Sequence, residues 1–332
     1  APVPRGCGRP AGGRAMASPS PAKKPRRQEE QADEGTGGQA SVYSDTNGVP
    51  RAEGRLLHVG LADGELASRV VVVGHSSRAE LLAGLLEPED GPRGTLFKLA
   101  SDRGFLTYTG RFAGQRVSVV AIGMGTVMVD FFLREAKSSV AGPMAVVRLG
   151  TCGVLQKHVE PGTISVASEG SLMVQRNFAH FGPGGRPVAG QQPFVISEPC
   201  PADGPLSDAV VRELRQEVGE AMVVPSMNAT ADSFYSTQGR KDPSFHDANE
   251  DVLAEVMRRH PSVVSMEMET FMLLHLAQAC QPAGSIRAAA AHVNVANRPT
   301  GAVVGGEKLR AMELAGGKAI LKALAALPLA PP

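Results

Sequence analysis

From Leu56 onward the chain alternates short, uninterrupted runs of apolar residues with amphipathic stretches, and this rhythm limits the fold more than any other feature. The runs are Val70–Val73, Val117–Ile122, Met144–Leu149, Thr163–Ala167, Met222–Val224 and Ile286–Val295. They lack the polar alternation of a half-exposed strand, so each reads as a strand covered on both faces. Helical patterns follow the first run as far as Leu86 and the second as far as Val140. Others span Leu206–Val218, Asp247–Arg259, Glu267–Cys280 and Gly306–Leu324. Strands separated by helices predict an α/β fold: one doubly wound domain over residues 55–330, with a mixed, largely parallel central sheet flanked by helices. Residues 180–205, rich in Gly and Pro, predict a long loop.

Residues 1–54 differ in kind. They are Pro, Gly, Ser and charge with few large apolar side chains, too little to offset the entropy of ordering, which predicts a disordered tail. Its basic run Lys23-Lys24-Pro25-Arg26-Arg27 is either a nuclear address or a solvated linker, and Met16 offers an internal start. The formal charge of +1 gives no reason to expect nucleic acid or an anionic membrane as partner. The four cysteines, Cys7, Cys152, Cys200 and Cys280, show no metal-ligand spacing and suit free thiols in a reducing compartment. No apolar run reaches the roughly 20 residues that span a bilayer, and no secretory signal is legible. A cytoplasmic protein is expected.

Ligands of such sheets sit beyond the carboxyl ends of the strands. Three segments there combine glycine with arginine or hydroxyl: Gly74-His75-Ser76-Ser77-Arg78, Gly123-Met124-Gly125-Thr126, and Arg148-Leu149-Gly150-Thr151-Cys152-Gly153. Glycine lets backbone N–H groups approach an anion, and the planar guanidinium forks onto phosphate. Each alone is also compatible with an ordinary turn. A dinucleotide fingerprint is disfavoured because Met128 stands where a third small residue belongs, and the next strand ends in Gly150-Thr151 without an acid. Taken together the segments predict a phosphate site.

Further motifs carry a resemblance. They are Leu57-His58-Val59-Gly60-Leu61, Lys98 to Arg103, Asp232-Ser233-Phe234-Tyr235-Ser236-Thr237-Gln238-Gly239-Arg240, Met266-Glu267-Met268-Glu269 and Val295-Ala296-Asn297-Arg298. With the three segments above, in this order, the chain from Leu57 to the C-terminal helix resembles the nucleoside phosphorylase superfamily, and within it the uridine phosphorylase branch. The resemblance implies phosphorolysis of uridine to uracil and ribose 1-phosphate, with inorganic phosphate as co-substrate, no other cofactor and no metal. It implies that Gly74, Arg78, Arg148 and Thr151 hold phosphate and that Arg103 reaches it from a neighbouring subunit. His58 would contact the ribose across that interface, Met268 and Glu269 would hold the sugar, and Phe234, Gln238 and Arg240 the base. Glu267 and Arg298 are lesser candidates, and Thr151 could equally cap a helix. The related purine enzymes place an aspartate where this chain has Asn297-Arg298. Sites shared between subunits imply a homo-oligomer, a dimer or a hexamer of dimers. A purine or broad-specificity phosphorylase, or a non-catalytic nucleoside-binding relative, are the alternatives. His75 replaces an acid of bacterial relatives and is expected to have no role of its own. Gly104 replaces a potassium-holding glutamate, so no potassium is expected.

Overall fold

The structure is a computed structural model that describes residues 43–91 and 94–329. Its centre is the expected set of parallel strands. Gln115–Ala121, Arg69–Val73, Met144–Val154 and Ile286–Asn297 lie side by side in parallel. Beyond Gln115–Ala121 the sheet continues antiparallel through Leu106–Phe112 to Phe97–Ala100. Near its carboxyl end Met144–Val154 also pairs antiparallel with Val263–Glu267, which leads through Met227–Ala231 to Ser171–Arg176 and Phe194–Ile196. Ile164–Val166 and Val223–Pro225 extend the other side from Ile286–Asn297. Twelve strands of the described residues thus form one mixed sheet.

Strand side chains alternate faces with period two, and both faces of the central strands are apolar. Val71, Val73, Val147 and Leu149 enter one core with Leu82, Leu206, Val210, Leu214, Ile320 and Leu324 of the helices Ser76–Ala83, Gly204–Val218 and Gly306–Ala326. Val70, Val72, Met144 and Val146 enter a second core with Phe132, Leu133, Leu273 and Leu274 of Thr126–Ser139 and Thr270–Ala279. The arrangement is doubly wound, and it explains why the strands read as continuous apolar runs. The long C-terminal helix can lie close to Ser76–Ala83 because Gly317 faces Leu82. A Cβ there would come within 2.0 Å of Leu82 Cδ2.

Several boundaries differ from expectation. Met144–Val154 runs eleven residues, so Gly150-Thr151-Cys152-Gly153 continues the strand and Thr151 caps no helix. The predicted helix Glu267–Cys280 is a strand end followed by a helix beginning at Thr270. Asp247–Arg259 is helical only from Val252, and the strand expected at Met222–Val224 is Val223–Pro225. Within 180–205 lie the short strand Phe194–Ile196 and a one-turn helix at Pro183–Gly185. The tail boundary at 54 is also too late. Val49 packs on the second core, Ser44 and Arg51 exchange main-chain hydrogen bonds, and Arg51 pairs with Asp63 at 2.7 Å. Residues 1–42, including the basic run, lie outside the described residues.

Candidate active site

The strand ends converge. Gly74 and His75 follow Arg69–Val73, Gly123 and Met124 follow Gln115–Ala121, and Arg148 through Gly153 lie in Met144–Val154. Met266 to Glu269 close Val263–Glu267, Phe234 to Arg240 follow Met227–Ala231, and Val295 to Arg298 end Ile286–Asn297. Residues from each of these segments, with Arg78, line a cavity of about 350 Å³. Two helices begin at its wall. His75 caps Ser76–Ala83, and Gly125 precedes Thr126–Ser139 with φ of 95°, a left-handed conformation that glycine adopts freely.

Two buried guanidiniums mark one end. Arg78 donates from Nε and Nη2 to Glu313 Oε1 at 2.9 and 2.6 Å, and from Nη1 to the Leu149 carbonyl at 3.0 Å. Arg148 pairs with Glu269 through Nη2 and lies 3.4 Å from Glu267 through Nε. Its Nη1 is buried with no hydrogen-bond partner among the described residues. A buried donor without an acceptor is costly, so this atom marks where an anion would be stabilised most. Gly150 gives the side chain its path: a Cβ there would sit 2.9 Å from His292 Cδ2 and 3.2 Å from Arg148 Nη2.

The two carboxylates of Met266-Glu267-Met268-Glu269 have separate environments. Glu267 accepts from Asn228 Nδ2 at 2.9 Å, Thr230 Oγ1 at 2.7 Å and the Glu269 and Thr270 amides at 3.0 and 3.1 Å. Burial opposes its charge. Nevertheless, beside His292 and Arg148 and with hydroxyl and amide donors on it, Glu267 is held down to about 2. Burial pushes His292 down to about 4, so that ring is neutral at pH 7 and Arg148 is the standing cation of the cluster. Glu269 has fewer donors, the Gly125 amide at 2.5 Å and Arg148. Burial, together with the nearby Glu267, pushes it up to about 7. Glu267 is therefore an anchor, and Glu269 is the carboxylate free to exchange partners.

The other end is flat and cationic. The Arg240 guanidinium lies 3.8 Å above the Phe234 ring, and its Nε donates to the Phe234 carbonyl at 3.0 Å. Gln238 is buried, its side-chain amide makes no hydrogen bond among the described residues, and its main-chain carbonyl accepts from Arg298 Nη2 at 3.0 Å. Asn297 is turned away, donating to the Gln156 and Val159 carbonyls at 2.9 Å. Glu267 and Glu269 are the only carboxylates among the described residues lining the cavity, and neither belongs to this end.

Of the residues singled out from sequence, Gly74, Arg78, Arg148, Thr151, Phe234, Gln238, Arg240, Glu267, Met268, Glu269 and Arg298 line this cavity, whereas His58 and Arg103 do not. His58 stacks on Phe131 with centroids 4.1 Å apart, and its Nδ1 lies 2.5 Å from buried Glu135. Arg103 lines a separate surface depression with Arg55, Leu57 and Leu99. Sequence reasoning missed Glu313, the partner of Arg78. Its one signal is an acid at an apolar position of the helix, in step with Leu309, Gly316 and Ile320. It also missed the cradle of Asn228 and Thr230, and it gave no weight to His75, which lines the cavity.

A family model, the phosphorylase superfamily, matches residues 68–325. The chain belongs to the phosphorylase superfamily. Among solved structures, a uridine phosphorylase of the oomycete Phytophthora capsici is 40% identical, with a TM-score of 0.80 over 86% of this chain and 100% of that one. A Trypanosoma brucei nucleoside phosphorylase with uridine phosphorylase activity is 21% identical, with a TM-score of 0.65 over 83% of this chain and 98% of that one. At that identity the likeness shows the fold alone. Among curated proteins, a DeoD-type purine nucleoside phosphorylase of Geobacillus stearothermophilus is 29% identical over 222 residues, covering 67% of this chain and 80% of that protein. Phosphorylase superfamily members of either base preference therefore share the scaffold described above.

Proposed function

We propose that the chain cleaves uridine with inorganic phosphate, giving uracil and ribose 1-phosphate. The observation that carries the reading is the base end of the cavity. It offers an aromatic face in Phe234, a buried amide in Gln238 and two guanidiniums in Arg240 and Arg298, and, among the described residues, no carboxylic acid to protonate a purine ring nitrogen. A glutamine amide, both donor and acceptor, matches the alternating edge of uracil, and a guanidinium favours negative charge developing on its oxygens. The 40% identity to the Phytophthora capsici enzyme supports the same choice. The purine relatives favour a purine or broad-specificity reading, so the two must be separated by assay.

In the proposed reaction a phosphate oxygen forms a bond to ribose C1′ while the C1′–N1 bond breaks. The electron pair of that bond leaves with uracil, which then takes up a proton. Phosphate binds Arg148 Nη1, the remaining N–H groups of Arg78, Thr151 and the Gly74 backbone. Glu269 leaves Arg148 for the ribose hydroxyls, with Met268 against the sugar, so that its negative charge faces a ribose becoming cationic. Phosphate replaces Glu269 as the anion on Arg148. Gln238, Arg240 and Arg298 stabilise the departing base. His58 and Arg103, placed away from this cavity, act in the site of a second copy, and the working unit is a homo-oligomer. The test is chromatography of the base released from uridine and from inosine, with and without phosphate. Phosphate-dependent uracil release supports the reading, and equal turnover of inosine overturns the pyrimidine assignment.

A further inference from the structure

We propose that His75 is a further phosphate-binding residue, donating from Nε2 to the anion held by Arg78 and Arg148; the proposal rests on the phosphorolysis reading. His75 lines the cavity between Gly74 and the helix that carries Arg78. Its Nδ1 lies 3.3 Å from the Arg78 backbone nitrogen and 2.9 Å from the Ser77 hydroxyl. A main-chain N–H can only donate, so Nδ1 must present a lone pair, and the proton of the neutral ring sits on Nε2. The helix cap thereby fixes the tautomer.

Nε2 has no hydrogen-bond partner among the described residues. The nearest carboxylate oxygen, Glu313 Oε1, is 4.0 Å away, beyond hydrogen-bond reach, and already receives both Nε and Nη2 of Arg78. The side chain is 51% exposed, and burial of the remainder, reinforced by Arg78 and opposed by Glu313, lowers its pKa. The ring at pH 7 is therefore a neutral donor standing beside Arg78 and Glu313. A neutral N–H adds a hydrogen bond to phosphate without drawing Glu313 away from Arg78, which a lysine or arginine at this position would do.

Two substitutions divide the two nitrogens. His75→Asn keeps an acceptor near Nδ1, a good helix cap, and removes the distal donor. His75→Gln places an amide N–H near Nε2 and gives up the cap. Two readouts are used: the melting temperature with and without inorganic phosphate alone, and KM for phosphate with whichever nucleoside is turned over. For H75N the phosphate KM should rise about 10-fold. The nucleoside KM, and kcat at saturating phosphate, should stay within about 2-fold of wild type. H75Q should recover most of the phosphate affinity while melting lower. Wild-type phosphate affinity in H75N, or a loss confined to H75Q, would show that the side chain only caps the helix and would overturn the proposal. If phosphate does not raise the melting temperature of the wild type, the phosphorolysis reading fails and the proposal with it.

Discussion

Replacing Glu313 with alanine exposes how the anion end is held together. Arg78 has a side chain only 3% exposed, and Glu313 is the counter-charge for two of its N–H groups. Removing that carboxylate leaves a buried guanidinium whose remaining protein acceptor is the Leu149 carbonyl, with the cation of Arg148 close enough to disfavour its charge. Breaking a buried pair from one side costs about 3–5 kcal/mol. With a melting shift of about 2–4 °C per kcal/mol for a domain of this size, the expected fall is roughly 6–20 °C in phosphate-free buffer. On the proposed reading inorganic phosphate restores negative charge at the same place, so it should raise the melting temperature more in Glu313→Ala than in the wild type. Glu313→Gln, which keeps an acceptor oxygen, should fall between the two. Differential scanning calorimetry at several phosphate concentrations reads all of this. A fall below about 1 °C in phosphate-free buffer, or an identical phosphate increment in both proteins, would refute the reasoning, since either means that Glu313 is not the standing counter-ion of Arg78.

Gln238→Ala and Arg240→Ala should each lower kcat/KM for uridine about 10- to 100-fold with the fold intact by circular dichroism; unchanged kinetics in both would remove them from base recognition. Gly150→Ala should displace Arg148 or His292 at the cost of about 1–3 kcal/mol and raise KM for phosphate, and an alanine variant with wild-type phosphate kinetics would contradict the close approach. The two carboxylates should have opposite pH signatures. Glu269, raised from 4.5 to about 7 on folding, makes the protein less stable as pH rises through that interval, so the stability of Glu269→Gln relative to wild type should increase from pH 4.5 to pH 7. Glu267, lowered to about 2, contributes stability that is present above 4.5 and lost toward pH 2, and Glu267→Gln should erase that loss in acid denaturation. A relative stability independent of pH in either variant would contradict its assignment.

The central strands were legible because burial on both faces demands apolar residues at every position, as in Val70–Val73 and Met144–Leu149. Met227–Ala231 was not, because Asn228 and Thr230 aim polar groups at Glu267 and break the apolar run. Val263–Glu267 is not legible either, and its last residue reads as the start of the following helix, because neither Gly nor Pro separates Val263 from Leu274 and the break falls at the polar pair Glu267 and Glu269. The cavity-lining residues singled out from sequence could be found locally, since they lie in the strands Met144–Val154 and Val263–Glu267 or in the segments that follow the carboxyl ends of strands. Glu313 could not, since it meets Arg78 across 235 positions of sequence and announces itself only as an acid on an apolar helix face. His58 and Arg103 show the opposite limit. Their motifs are clear in sequence, and within a single chain the fold gives them no place in the cavity that the other motifs build.

The most direct measurement is the rate of base release from uridine and inosine at equal concentration, followed by chromatography, with inorganic phosphate present and absent. Uracil and ribose 1-phosphate should form only with phosphate, and inosine should react at least about 100-fold more slowly, a floor below the roughly 10⁴-fold or greater discrimination typical when buried polar groups of a site are left unpaired. Equal release of hypoxanthine, or uracil release that continues without phosphate, would contradict the account.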